Sequence, residues 1–326
     1  MALWHGSFVR PWLLLGVSAV LGCDLDALDG ILGEPPAAHA RRRRARRAAA
    51  PALAVPAAAP MPQGPAQQSG SVQVAMGVPV DASPHDELLL TRSEYVTSYN
   101  RYRNAPNWVA WRVTAGDLGT TGRTRSRFAP DPLLPAGVYR VLDGDYAGSG
   151  FDRGHLCPSA ARTADPESNA ATFYTTNIVP QRHDLNAGAW ENLEAWTHQM
   201  ARRGWDAFVV AGGVWSAACD TTRRAAAPDG DCLSIGRSND PARRVAVPVS
   251  TWKVIVLVPQ GSGPAAVTAE SPVVAVDMPN DGSAGADWHR YVTTVDALEA
   301  RTGYELLGNV SAALQQWIEA RTYRGE

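Results

Sequence analysis

From residue 34 to about residue 70 the chain consists almost wholly of Ala, Pro, Arg and Gln, without any apolar periodicity. Such a stretch buries too little to pack and reads as a disordered linker, taken here as residues 23–74. A packed fold must therefore be built from about Ala75 onward, giving one domain over residues 75–326. Within it, residues 94–100 and 108–113 alternate or run apolar like strands. Residues 114–150, rich in Gly, Pro, Asp and Arg, read as loop. Residues 172–179 read as a strand ended by Pro180. Trp190, Leu193, Ala195, Trp196 and Met200 form a helical stripe over 187–202, stopped by Gly204. Buried strands are expected at 208–213, 244–249, 254–258 and 273–278, and helices at 296–301 and 312–320. Strands and helices mix without βαβ alternation, so the class is α+β rather than a doubly wound sheet.

The charge balance narrows the partners. Residues 1–47 hold seven of the 30 basic and four of the 32 acidic residues, so the remainder carries 23 basic against 28 acidic. A domain that gripped polyanions through its overall field would be basic. Any phosphate binding must come from a local group of arginines, because Lys253 is the only lysine. Guanidinium forks suit phosphate oxygens in pairs.

The N-terminus reads as an export signal. Arg10 precedes an apolar stretch too short to span a bilayer, and residues 1–22 form the signal peptide. Val20-Leu21-Gly22-Cys23 resembles a bacterial lipobox, so Cys23 is either a lipid anchor or close to a plain cleavage point. A transit peptide is disfavoured by four acids ahead of the arginine run at 41–47. Periplasm, cell envelope and extracellular medium are the expected locations. Cys219 and Cys232, bracketing a short loop, can pair in such an oxidising compartment, which leaves Cys157 as a buried thiol.

The chemistry concentrates between residues 148 and 194. Gly-Ser-Gly-Phe-Asp-Arg-Gly-His-Leu (148–156) is followed by Phe-Tyr-Thr-Thr-Asn-Ile-Val-Pro-Gln (173–181) and Leu-Asn-Ala-Gly-Ala-Trp-Glu-Asn-Leu-Glu (185–194). Phosphodiester hydrolysis needs a base for water, a cation to offset developing charge and donors for the non-bridging oxygens. His155 can be a neutral imidazole near pH 7. Arg153 sets a guanidinium beside it, Gly154 permits close backbone approach, and Asp152 can orient either neighbour. On a regular helix, Glu194 would lie roughly 80° round from Asn186. Their oxygens suit a hard cation. A helix N-cap is the plainer reading of Asn186 alone, and a surface acid that of Glu194 alone.

These three blocks, in this order and spacing, resemble the DNA/RNA non-specific endonuclease family of the ββα-metal (His–metal finger) superfamily, which includes the endonuclease G type. Asp152-Arg153-Gly154-His155 corresponds to that family's signature, and Asn177-Ile178, Pro180-Gln181 and the run from Asn186 to Glu194 to the following strand and metal helix. The resemblance implies a ββα-metal fold with a central mixed or antiparallel sheet flanked by helices. It implies His155 as general base, Asn186 as the direct protein ligand of Mg²⁺ (Mn²⁺ substituting), and Glu194 as the acid holding a metal-bound water. It further implies Arg153 as a phosphate contact and Asn177 as a residue close to the centre. A substrate-binding arginine is expected at Arg125, with Arg123 and Arg127 as alternatives. DNA and RNA would both be cut, leaving 5′-phosphorylated ends.

Other candidates weigh less. His183 reads as a solvated loop residue near the site, and His198 and His289 lack ligand spacing. Trp190 and Trp196 read as core. A serine esterase built on Ser149 or Ser216 would need a Gly-x-Ser-x-Gly elbow, which Gly148-Ser149-Gly150 does not provide. A non-catalytic nucleic-acid binder would be expected to have lost the tetrad or the metal helix.

Overall fold

The computed structural model describes residues 70–83, 87–121, 127–216, 219 and 232–325. The signal segment, Cys23, the linker up to residue 69, Arg123 and Arg125 lie outside them. Seven strands form one sheet in the order β1 (Leu88–Thr91), β2 (Val96–Asn100), β3 (Ala105–Val113), β6 (Trp205–Val214), β9 (Ser250–Pro259), β10 (Val273–Pro279) and β11 (Val292–Thr293), with every neighbouring pair antiparallel. Both faces are buried, and strict alternation assigns the residues between them. Val109, Trp111, Ala207, Val209, Ile255, Leu257, Val274 and Val276 enter one core. Trp108, Ala110, Phe208, Val210, Val254, Val256, Val273 and Ala275 enter the other. Period-two placement with both faces covered explains why these strands read as unbroken apolar runs.

The second core is closed by Val74 and Met76, by α3 (Val295–Thr302) and by Ile318 of α4 (Ala312–Ile318). Gly303 ends α3 at φ 80°, a left-handed cap that glycine adopts without strain. The first core is closed by α2 (Glu191–Arg202) and by a two-stranded hairpin, β4 (Asp152–His155) with β5 (Ile178–Gln181). A short helix, α1 (Pro166–Ala171), links the two hairpin strands, with Asp165 capping its start. The molecule is thus α+β, an antiparallel sheet between helical layers.

Several expectations need correction. Pro180 does not end a strand at 172–179; residues Thr175–Asn177 form a 3-10 turn, and Pro180 sits inside β5. A two-stranded ladder has only edge strands, where a missing N–H is tolerated. Of 244–249, only Val245–Ala246 is strand (β8), paired with Ser234–Ile235 (β7) in a small separate sheet. β1, β11 and α1 carry too few patterned residues to be read from sequence. Cys219 and Cys232 are disulfide-bonded. Cys157 is fully buried, which pushes its thiol up to about 12 and leaves it unreactive. Ser149 serves its own turn, its Oγ accepting from Phe151 N at 3.1 Å.

Candidate active site

The hairpin, the turn after it and α2 form a contiguous ββα unit. Asp152 pairs with Gln181 and His155 with Ile178. Residues two apart on a strand share a face, so Arg153 and His155 project together, and Phe128 lies against both. Its ring centroid is 5.4 Å from that of His155, and Arg153 Cζ lies 5.5 Å from it. Phe173 meets the imidazole edge-on at 5.0 Å. The His155 side chain is half-buried, wedged between two phenyl rings, and Trp190 Nε1 donates to its carbonyl oxygen at 3.0 Å. That bond ties the start of α2 to the end of β4.

Gly154 is required by packing. A Cβ there would fall 2.0 Å from Gln181 Oε1 and 2.6 Å from its Cγ, and Gln181 is fully buried with Nε2 donating to Thr251 Oγ1 at 3.2 Å. Gly154→Ala is therefore expected to cost roughly 1–3 kcal/mol in a denaturant melt. Adding Gln181→Ala should recover most of that loss, and a Gly154→Ala protein as stable as the parent would show that Gln181 yields freely.

Arg153 is anchored by Asp143, whose carboxylate lies 2.6 Å from Nε and whose carbonyl accepts from Nη2 at 2.7 Å. Asp152 orients neither Arg153 nor His155, contrary to expectation. Its Oδ2 accepts from Asn186 Nδ2 at 3.1 Å and contacts His183 Nδ1 at 2.8 Å. Strand alternation explains this, because Asp152 points to the hairpin face opposite its neighbour Arg153.

The eight-residue helical spacing from Asn186 to Glu194 also fails. Residues Leu185–Trp190 form a π-type turn in which Gly188 adopts φ −114° and ψ −113°, and regular α-helix begins only at Glu191. The angular relation of the two residues is set by this irregular turn, not by 100° steps. π-turns recur at functional sites.

Glu194 faces inward, its side chain 15% exposed, with Oε1 3.5 Å from Lys253 Nζ. Lys253 on β9 is itself buried, and its ammonium lies 3.8 Å from the Trp190 ring centroid. Burial raises the Glu194 carboxyl to about 7 despite the opposing pull of Lys253. Burial lowers the Lys253 ammonium, with Glu194 acting against that shift. A buried ion pair bracing a helix on the sheet is thus part of the site. Sequence reading noted Lys253 as the sole lysine without finding its partner.

Asn177 is fully buried and directed into the scaffold. Its Oδ1 accepts from Cys157 N at 2.9 Å, and its Nδ2 donates to the carbonyls of Cys157 and Thr172, both at 2.8 Å. It fixes the chain just beyond His155. Arg127 is exposed next to Phe128. His183 is exposed beside Asp152, whereas His198 is buried on α2 and depressed to about 4 by burial first and by Lys253 next. Trp190 belongs to the first core, and Trp196 packs on Trp288 and Tyr323. Phe128 and Asp143 join the site from segments outside the three sequence blocks, and Phe173 joins it as the first residue of the second block.

The chain has known relatives. The model of the DNA/RNA non-specific endonuclease family matches residues 74–313. A nuclease of Nostoc sp. is 40% identical over 257 residues, covering 77% of this chain and 86% of that protein. The mitochondrial nuclease EXOG of Mus musculus is 32% identical over 165 residues, or 50% of this chain and 42% of its own length. Among solved structures, a chain of an EndoG/EndoGI complex shares the fold with a TM-score of 0.58 at 23% identity, covering 73% of this chain and 91% of that one. The hairpin, the turn and helix α2 carry the Asp152–His155 tetrad and the run from Asn186 to Glu194 on a fold shared with such nucleases, and the chain belongs to the DNA/RNA non-specific endonuclease family.

Proposed function

We propose that this nuclease is a Mg²⁺-dependent endonuclease that hydrolyses phosphodiester bonds in both DNA and RNA and leaves 5′-phosphorylated ends. The observation that carries the reading is the ββα unit. It holds His155 and Arg153 on one face of the hairpin and fixes Asn186, through Asp152, in the turn entering α2. His155, clamped between Phe128 and Phe173, takes the proton from the attacking water as general base. Arg153, with part of its guanidinium fixed on Asp143, presents its remaining donors to a non-bridging phosphate oxygen. Arg125, or in its place Arg123 or Arg127, adds a further phosphate contact. Asn177 acts at one remove, by holding the backbone after His155.

The donors fit a hard divalent cation. Asn186 gives its Nδ2 to Asp152, which leaves its Oδ1 for another partner, and Glu194 adds a carboxylate, so the donors are oxygens. Asn186 would hold Mg²⁺ or Mn²⁺ directly and Glu194 through a water. When bound, the cation offsets charge on the phosphate and the departing 3′ oxygen. Grip on phosphate alone carries no base information, which accounts for low sequence preference. Export, with Cys23 lipidated or cleavage close to it, is supported by the Cys219–Cys232 disulfide and is decided by cell fractionation.

Digestion of plasmid DNA, linear DNA and RNA by the purified full chain tests the reading. All three should be cut in Mg²⁺, none in excess chelator, and rates should fall as salt rises. Cleavage that persists in chelator, or that is confined to one short sequence, would overturn it.

A further inference from the structure

Across the sheet from the hairpin, α3 and the end of α4 gather three carboxylates that hydrolysis does not use. Asp296 and Glu299 lie on α3, and Glu319 directly follows α4. One oxygen from each lies within 4.8 Å of the others. Asp296 is exposed, Glu299 half-buried and Glu319 only 5% exposed. Glu319 Oε1 is buried without a hydrogen-bond partner. Among the described residues, no Arg, Lys or His lies within ion-pair distance of any of the three.

A buried carboxylate left without donor or counter-charge is costly. Here the cost is compounded, since Asp296, Glu299 and Glu305 all act on Glu319 with the same sign; together with burial, the largest cause, they raise it to about 8. The surrounding backbone nevertheless holds the cluster together. Asp296 N donates to Glu319 O at 3.2 Å, and Glu299 Oε1 accepts from Leu306 N at 2.7 Å. Helix α3 and the end of α4 are therefore fixed around an oxygen-lined point that lacks positive charge.

We propose that Asp296, Glu299 and Glu319 form a Ca²⁺-class cation site that clasps the C-terminal helix α4 to α3. All donors are oxygens, as hard cations require. Ca²⁺–oxygen distances of about 2.3–2.6 Å let ligands of one ion stand up to about 5 Å apart, which accommodates this cluster. The shorter bonds and strict octahedron of Mg²⁺ fit it less well. Exposed Asp296 forms the entry side, and Glu319 Oε1 forms the floor. The bound ion supplies the counter-charge that Glu319 lacks and fastens α4, whose Ile318 plugs the second core. The site lies apart from His155 and Asn186, so its role is stability rather than turnover.

The test is calorimetric titration of chelator-stripped full-length protein with CaCl₂, together with thermal melts with and without Ca²⁺. The parent and Asn186→Ala should each show this binding event, and at a hundredfold excess over Kd the melting temperature should rise by roughly 5–10 °C. Asp296→Asn and Glu319→Gln should each weaken binding by at least about tenfold, because affinity follows ligand charge. They should also lose the thermal shift while cutting DNA at the parental rate in Mg²⁺. Asp296 is exposed, so its variant folds even if the Glu319 variant does not. Unchanged Ca²⁺ affinity in Asp296→Asn, or Ca²⁺ binding that disappears only with Asn186→Ala, would overturn the proposal.

Discussion

His155→Ala is expected to lower the rate of plasmid cleavage by about 10²–10⁴-fold, the range for loss of a positioned general base. The protein should remain folded, because the imidazole is half-buried and packs against Phe128 and Phe173 rather than in the centre of a core. DNA affinity measured in chelator should stay within about twofold if phosphate is held, as proposed, by arginines rather than by the imidazole. His183→Ala is the control. That ring is exposed and bonded only to Asp152, so its removal should leave most of the rate. Added imidazole should restore part of the activity of the His155 variant at pH values where imidazole is neutral. Cleavage by His155→Ala within tenfold of the parent would remove the base from the mechanism.

Lys253→Met is expected to destabilise the protein by about 3–5 kcal/mol, the range for removing one partner of a buried ion pair. Glu194 would then be buried without a counter-charge, and its carboxyl, already raised to about 7 by burial, would rise further because Lys253 is what pulls it down. The sign follows directly. A higher pKa protonates Glu194 over more of the neutral range, so the acid limb of the pH–rate profile should move to higher pH and the Mg²⁺ requirement should increase. Adding Glu194→Gln removes the stranded charge as well, and the double variant should regain much of the lost stability without regaining activity. This split separates a brace for Glu194 from a plain packing role, which would leave the double variant as unstable as the single one. A Lys253→Met protein with parental stability and metal requirement would sink the assignment.

The site was legible where its parts are close in sequence. The tetrad at 152–155 and the run from Asn186 to Glu194 lie within one hairpin–turn–helix unit, so spacing along the chain approximates spacing in the fold. Even there, regular geometry misled. A strand could not be read at Asp152–His155, because Asp, Arg, Gly and His lack apolar alternation, and the helix register between Asn186 and Glu194 breaks at Gly188. The long buried strands of the large sheet were found as apolar runs, with β3, β6 and β9 each extending a few residues beyond the pattern. Their order was not legible, since antiparallel pairing of β3 with β6 and of β6 with β9 is chosen by side chains from distant segments.

The sequence alone determined the α+β class and, through its resemblance to a nuclease family, which residues are proposed as base, metal ligands and phosphate-binding arginines. These depend on residue type and short-range spacing. Only the tertiary structure decided that Asp152 serves Asn186, that Asp143 holds Arg153, that Asn177 braces backbone, that Lys253 pairs with Glu194 and that Glu319 Oε1 is buried without a hydrogen-bond partner. Burial and charge pairing are set by neighbours far along the chain, and no local pattern encodes which distant group will meet a given side chain out of water.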